Sequence, residues 1–317
     1  MTVTFLCPAA STVAVDINPA VRRSITGTEL YAREVCERLP DLLPDVVWRF
    51  YCSRPGPLRI DATVLPFRRL WSQVRLPIEL NRRPPELFFA PSHVIPFAIS
   101  APSLTVVHDL AFERFPEAYP PSDRAYLRLT TKWAVRRCRL LITVSESTAR
   151  DLRQIYAVPP ERIRVVHPGG GDGLAEGPDP GLELSSATLR SLGIEGPYVL
   201  QVGRIEARKN PLTGLRAVET AGGMTYVSIG RETDSAIAAE IRKSPRSRVL
   251  GHVDGSTKRV LYRHASAFIC TSLYEGFGFP LLEAMRAGTP VVTAANSSLG
   301  EIAADAALLV EDARNIV

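Results

Sequence analysis

The sequence predicts an α/β protein built as two Rossmann-like, doubly wound domains facing a cleft. Three observations carry that prediction. Short apolar runs alternate with amphipathic stretches along the whole chain, the pattern of a parallel sheet crossed by helices. The 317 residues exceed what one hydrophobic core usually organises. A run of chain breakers, His167-Pro168-Gly169-Gly170-Gly171-Asp172-Gly173, followed by Pro178, Pro180 and Gly181, splits the alternation into two series. The predicted division is therefore a first domain over 1–168, a linker and lead-in over 169–196, and a second domain over 197–317.

In the first series the apolar runs Thr12–Ile17, Val46–Cys52, Leu87–Ala90, Leu104–His108, Leu140–Val144 and Ile163–His167 read as strands. Met1–Ala10 also reads better as a strand than as a signal peptide, because it lacks a basic leading segment. Helices are predicted over Thr28–Leu39, where Leu30, Tyr31, Val35 and Leu39 recur at helical spacing, and over Ser122–Cys138 and Ser147–Tyr156. In the second series the strands are Tyr198–Val202, Thr225–Ile229, Arg248–Leu250, Ala267–Thr271, Val291–Thr293 and Ala307–Val310. Pro211–Thr220, Ser256–His264 and Pro280–Ala287 read as helices between them, the last stopped by Gly288.

Composition narrows the class. The chain is 45% hydrophobic and 22% charged, as globular proteins are, and no apolar run reaches membrane-spanning length. Cys7, Cys36, Cys52, Cys138 and Cys270 show neither metal-ligand spacing nor a disulfide framework, which fits a reducing cytoplasm. Charge is uneven: residues 1–168 hold 23 Lys and Arg against 16 Asp and Glu, and residues 169–317 hold 15 against 17. A basic first half suits an anionic partner such as a membrane surface, and equally suits solvated arginines. Arg68-Arg69-Leu70-Trp71 and the stretch around Lys132, Trp133, Arg136 and Arg137 interleave base and aromatic in a way that suits a membrane interface or a packed aromatic. No nucleic-acid-binding module is recognisable.

Chemistry concentrates in the second series. Tyr274-Glu275-Gly276-Phe277-Gly278-Phe279-Pro280-Leu281-Leu282-Glu283 sets two acids eight positions apart around a Gly-rich turn. Gly276 and Gly278 allow close backbone approach to a ligand. Pro280 suits the first helical position, and the free N–H groups of a helix start attract an anion. The carboxylates would then flank one ligand rich in hydroxyls; two solvated acids around a plain turn fit the spacing as well. Upstream, Gly203-Arg204-Ile205-Glu206-Ala207-Arg208-Lys209-Asn210-Pro211 places Arg204 and Lys209 in a strand-to-helix loop, where a diphosphate would bind.

These stretches resemble the retaining glycosyltransferases of family 4, which have the GT-B fold, and the resemblance covers nearly the whole chain. Glu275 to Glu283 matches the family's E-x7-E signature, and Gly203-Arg204 with Lys209-Asn210 matches its phosphate loop. Thr105-Val106-Val107-His108-Asp109-Leu110 matches the first-domain histidine motif, and Thr26-Gly27-Thr28-Glu29-Leu30-Tyr31 the glycine turn before the first helix. The resemblance implies that Arg204 and Lys209 neutralise the leaving nucleoside diphosphate, and that Glu283 accepts from the ribose hydroxyls. It implies that Glu275 contacts the donor sugar, with the backbone of Gly276, Phe277 and Gly278 close to sugar and phosphate. His108 is implied near the transferred sugar and the acceptor, Gly27 near the diphosphate, and Val253 beside the base.

The first domain would bind the acceptor and the second the nucleotide sugar. No metal and no other cofactor is expected, since protein cations meet the phosphate charge in this fold. The local style around Val107-His108-Asp109-Leu110-Ala111-Phe112 is similar to mannosyltransferases of polysaccharide assembly, so GDP-mannose is the first expectation for donor and a glycan or lipid-linked molecule for acceptor. A nucleotide-sugar epimerase on the same fold and a non-catalytic nucleotide-sugar-binding protein are the alternatives. His93 follows a strand and reads better as a loop histidine than as part of a cleft, and Asp16 ends the first strand, where it suits the acceptor and equally suits capping the following turn. Two departures stand out: Pro168-Gly169-Gly170 replaces the family's usual Pro-Asn-Gly, and the family normally continues beyond a point equivalent to Val317, so the second domain is expected to be incomplete.

Overall fold

The computed structural model describes residues 11–22, 26–67, 69–169 and 181–314, and divides into two compact units. The first comprises Met1–Glu113 and Tyr119–Pro168, the second Arg114–Ala118 and Gly169–Val317. The expected strand over Met1–Ala10, Arg68 of the basic stretch and most of the Gly-rich linker lie outside the described residues.

The first unit carries seven strands: β1 (Thr12–Asp16), β2 (Val47–Cys52), β3 (Ala62–Val64), β4 (Leu87–Ala90), β5 (Ser103–Val107), β6 (Leu140–Thr143) and β7 (Ile163–Val165). Their order is β3-β2-β1-β4-β5-β6-β7, and every pairing is parallel. Helices α1 (Gly27–Leu42), α2 (Arg75–Arg82), α3 (Ala111–Arg114), α4 (Pro121–Arg137) and α5 (Glu146–Tyr156) link them. Ala14, Phe88, Ala90, Val107 and Leu141 from the sheet pack with Leu76, Leu80, Ala134 and Leu152 from the helices into one core.

The second unit repeats the plan with six strands: β8 (Tyr198–Val202), β9 (Thr225–Ile229), β10 (Ser247–Gly251), β11 (Ala267–Cys270), β12 (Val291–Ala294) and β13 (Leu308–Val310). Their order is β10-β9-β8-β11-β12-β13, again parallel. Its helices are α6 (Gly181–Ser191), α7 (Pro211–Ala221), α8 (Ser235–Lys243), α9 (Gly255–His264), α10 (Phe279–Arg286) and α11 (Leu299–Ala303). Leu200, Val227, Leu261, Phe268, Leu281 and Leu299 share its central cluster.

Several elements differ from the sequence expectation, each for a local reason. Helix α1 runs through Pro40 to Leu42. Proline forfeits only its own backbone bond there, and the ladder resumes with Leu43 N–H to Leu39 O at 3.0 Å. Helix α2 escapes the sequence reading because Pro77 looks like a breaker, yet it falls in the first turn, where a missing N–H is no loss. Helix α8 is started by Asp234, whose carboxylate accepts from Ala236 N at 3.0 Å and Ile237 N at 3.1 Å. The stretch read as linker and lead-in contains α6. Strand β3 is a three-residue edge strand, too short to stand out by alternation.

Candidate functional site

In the second sheet the strand order reverses between β8 and β11, which are direct neighbours. A doubly wound sheet leaves a crevice at the carboxyl ends of such a pair, and ligands bind there. The loop after β8 carries Arg204, Arg208 and Lys209, and the loop after β11 carries Glu275. The two loops are tied by Leu273 N–H to Arg208 O at 2.8 Å. Gly230, just after β9, lets that strand end pack against the Gly203 turn after β8. A Cβ there would stand 2.0 Å from the Gly203 carbonyl, so no other residue fits.

The charges interlock. Arg208 is buried and donates to the Tyr274 carbonyl at 2.7 Å and to Glu206 at 2.6 Å, and its guanidinium lies 3.6 Å from Glu275. Lys209 Nζ pairs with Glu275 Oε1, which also accepts from Ser272 Oγ at 2.8 Å. Burial pushes the Glu275 carboxyl up, but Lys209, Arg208 and these hydrogen bonds outweigh it and hold it below the usual carboxylate range. Arg204 is different: its side chain is 53% exposed, and among the described residues it meets Glu206 at 3.6 Å. Of the two cations expected on a diphosphate, Arg204 therefore faces solvent while Lys209 is engaged by Glu275. Arg204, Arg208 and Lys209 stand against Glu206 and Glu275, leaving this rim with one excess positive charge.

The turn from Glu275 to Glu283 is held by its neighbours. Ser298 Oγ donates to the carbonyls of Glu275 at 2.9 Å and Phe277 at 3.0 Å, and Glu275 N–H donates to Ser297 Oγ at 3.0 Å. Gly278 caps α10 at φ +103, a conformation that needs glycine, while Gly276 lies between it and Glu275. Helix α10 opens at Phe279, so Pro280 is its second residue, one place later than the sequence suggested. Phe277 is buried and packs edge-on to Phe279, so its side chain serves the turn. Glu283 sits one turn into α10, where Tyr262 donates to it at 2.8 Å and Lys258 at 2.6 Å. Val253 is half-buried against the core between β10 and α9.

In the first unit the order reverses between β1 and β4. Asp16 closes β1; its carboxylate accepts from Asn18 N at 2.9 Å, and burial pushes its pKa up to about 7 against weaker opposition from Asn18 and Arg22. His108 follows β5, is buried, and meets Tyr31 edge-on at 4.9 Å. Its Nε2 lies 2.8 Å from the Pro91 carbonyl, which can only accept, so Nε2 carries the proton and Nδ1 is left as an acceptor. Burial keeps this imidazole neutral, lowering its pKa despite Asp109 and Glu29. His93 follows β4 with its Nε2 buried and without a partner among the described residues, and burial lowers its pKa to about 4. Gly27 is the first residue of α1 rather than part of the preceding turn, and the Glu29 carboxylate reaches back to Thr26 N at 3.0 Å.

Sequence reasoning missed Arg208, Gly230, Lys258, Tyr262 and the serines at 272, 297 and 298. Only Arg208 carried a signal, as a third cation in the phosphate-type loop. The others arrive from distant elements and are visible only once the sheet is assembled. Among the described residues no three His, Cys, Asp or Glu side chains gather in a metal-binding group.

The comparisons bear on the family and the fold. The family described as Glycosyltransferase Family 4 matches residues 25–169, and the one described as Glycosyl transferases group 1 matches residues 190–316. The chain is 27% identical over 271 residues to O-antigen chain mannosyltransferase B of Escherichia coli, covering 81% of this chain and 68% of that protein. It is 23% identical to the O-antigen chain mannosyltransferase RfbU of Salmonella typhimurium, covering 76% of this chain and 64% of that one. About a third of each relative's length thus lies outside the match. Among solved structures, Anabaena HepE in complex with UDP-glucose superposes with a TM-score of 0.72 at 17% identity, over 95% of this chain and 85% of that one. WaaG, a glycosyltransferase of lipopolysaccharide biosynthesis, superposes with a TM-score of 0.67 at 17% identity, over 94% and 85%.

Proposed function

Because this chain belongs to the family 4 glycosyltransferases and has their GT-B fold, we propose that it moves a hexose from a nucleoside-diphosphate sugar to a glycan or lipid-linked acceptor. Mannose is the first choice of sugar and GDP-mannose of donor, since the two O-antigen relatives are mannosyltransferases by name. The observation that carries the proposal is the excess of cations at the β8–β11 reversal, beside a buried and ionised Glu275.

In this reading the second unit holds the donor and the first the acceptor. The bond from the sugar's anomeric carbon to the diphosphate oxygen breaks, leaving negative charge on the β-phosphate and positive charge on the ring. Arg204, half-exposed and held only at 3.6 Å by Glu206 among the described residues, meets the phosphate, and Lys209 shares its remaining donors between phosphate and Glu275. Fixed donors aimed at developing charge are typically worth about 10²–10³ in rate each. Glu275 lies beside the sugar and Glu283 accepts from ribose. His108 offers Nδ1 to a hydroxyl of the transferred sugar or acceptor. The acceptor attacks from the face the diphosphate leaves, its proton passing to the phosphate, so anomeric configuration is retained without a metal. The setting is the cytoplasm, at the inner face of a membrane where a lipid-linked acceptor would reside.

A thermal-shift series with nucleoside diphosphates and their sugars tests the donor, since a ligand at 100 times its Kd adds about 2.7 kcal/mol. Transfer of labelled mannose from GDP-mannose to a lipid-linked acceptor, undiminished by EDTA, is the expected result. Release of free or epimerised sugar without any acceptor would mark an epimerase-type reaction. Binding with no turnover on any acceptor would mark a binding protein, and either result would overturn the proposal.

A further inference from the structure

Glu283 is largely enclosed, its side chain 13% exposed, and two residues of α9 hold its carboxylate. Lys258 and Tyr262 stand four positions apart, so one face of α9 presents both to Glu283 on α10. The Tyr262 hydroxyl donates to Oε2 at 2.8 Å. Lys258 Nζ lies 2.7 Å from Oε1 and 2.6 Å from Oε2.

The two contacts differ in kind. Tyr262 is fully buried in the central cluster of the second unit, its ring against Phe268 at 5.7 Å and its carbonyl accepting from Thr289 Oγ1 at 2.6 Å. Its hydroxyl has one proton and faces two acceptors, Glu283 Oε2 at 2.8 Å and the Pro280 carbonyl at 3.2 Å. The shorter contact, to a charged oxygen, takes the proton. Burial, followed by the charge of Glu283, raises this phenol well above its ordinary range, so it stays a donor at neutral pH. Lys258 is 26% exposed and carries a point charge on a flexible stem, within reach of both oxygens. Tyr262 therefore sets the direction of the carboxylate, and Lys258 balances its charge.

Direction matters because a glutamate left to itself turns freely about its terminal torsion. Ordering it only when a ligand arrives would subtract from the gain of each hydrogen bond, and ordering it beforehand preserves that gain. A site built to accept from a hydroxyl then disfavours the analogue that lacks one, since the waiting oxygen is left unpaired. On the reading that Glu283 accepts from the ribose of the donor, we propose that Tyr262 is a positioning residue that aims Glu283 at that ribose and so sets the preference for ribonucleotides over 2′-deoxyribonucleotides.

The test is calorimetric titration of the full chain with GDP, UDP and ADP, each beside its 2′-deoxy form. The wild type should bind at least one ribo form about tenfold or more tightly than its deoxy form, as a hydrogen bond to a charged group allows. Tyr262→Phe keeps the ring and removes only the hydroxyl. It should cut that ratio to about threefold or less while the deoxy form binds as it does to wild type. A general packing defect would weaken both forms and leave the ratio where it was. In Glu283→Gln the ratio should already be low, and adding Tyr262→Phe should lower it no further, because the tyrosine acts through the carboxylate. Lys258→Met should weaken both forms together, most at low salt, as the unbalanced charge of Glu283 repels the diphosphate. An unchanged ratio in Tyr262→Phe, or a further fall in the double variant, would overturn the proposal and leave the donor reading standing. A wild type that binds ribo and deoxy forms alike would overturn it too, and one that binds no nucleoside diphosphate would remove the donor reading with it.

Discussion

Each sheet buries a carboxylate where its strand order reverses, and the balance of burial against charge falls opposite ways in the two. Glu275 lies against Lys209 and Arg208, and their charge overcomes burial, so it is held ionised. Asp16 has only the Asn18 N–H and a weaker pull from Arg22 against it, and burial prevails, lifting its pKa to about 7. The histidines after β4 and β5 follow the same rule: His93 is lowered to about 4 and His108 is lowered as well, both chiefly by burial. One topology has therefore produced a rim of paired charges in the second unit and, in the first, a rim where burial disfavours the charged forms of Asp16, His93 and His108 despite charges such as Asp109 and Glu29 acting on the histidines. The former suits a charged diphosphate; the latter suits hydroxyls. The difference lies in the side chains at the strand ends, since the folds that present them are alike.

The hardest way to break this contrast is to remove the buried guanidinium. Arg208→Met would leave Glu206 and Glu275 short of a partner, at a cost of about 3–5 kcal/mol in stability of the second unit. Glu275 has its pKa depressed in the fold, so its contribution is present at neutral pH and lost as pH falls through the depressed value. Without Arg208 that loss should begin at higher pH, and the acid limb of the turnover profile should move up with it. Arg208→Lys should restore part of both. An unmoved acid limb in Arg208→Met would mean that Lys209 alone sets the state of Glu275.

Lys209→Ala should be next in size. It removes a cation proposed to serve the leaving diphosphate, and turnover should fall by about 10²–10³ with the fold intact by circular dichroism. Unchanged steady-state turnover would put the phosphate contact elsewhere, with Arg204 the first alternative. His108→Ala sharpens the other half of the contrast. It removes one neutral acceptor from the first unit, so turnover should drop by roughly tenfold, while calorimetric affinity for the nucleoside diphosphate stays as in wild type. A loss of affinity with turnover unchanged would place His108 in the wrong role.

How far the sequence foretold these rims follows from range. The alternation of apolar runs disclosed both sheets because a parallel sheet buries its strands on two sides, and that pattern is local. Arg204, Lys209, Glu275 and Glu283 were legible because motif spacing and chain breakers mark a strand-to-helix loop. The pairing of Lys209 with Glu275 was not, because 66 residues separate them. Nor was the dependence of Glu283 on Lys258 and Tyr262, which reach it from α9. Gly230 looks like any strand-end glycine until the Gly203 carbonyl is found in the space its side chain would fill. Helix α2 was hidden by Pro77, whose harmlessness depends on its place in the first turn.

The smallest effect bears on Asp16 and tests whether its rim is neutral by construction. Its pKa is raised from the ordinary 3.8 to about 7 in the fold, so the folded chain binds a proton that the unfolded chain has released. Its contribution is therefore fully present below the unfolded value and declines as pH rises through the folded one. With those two values, stability attributable to Asp16 should fall by about 1.4 kcal/mol between pH 6 and pH 8. Asp16→Asn keeps the size and an acceptor for Asn18 N–H but carries no proton to lose. Its urea-unfolding free energy relative to wild type should therefore improve by that amount across the interval. The thiols of Cys36 and Cys52, both coupled to Asp16, are themselves raised by burial and stay protonated there, so they leave the slope to the carboxyl. Parallel pH curves for the two proteins would show Asp16 ionised throughout, and the first rim would then hold a charge much as the second does.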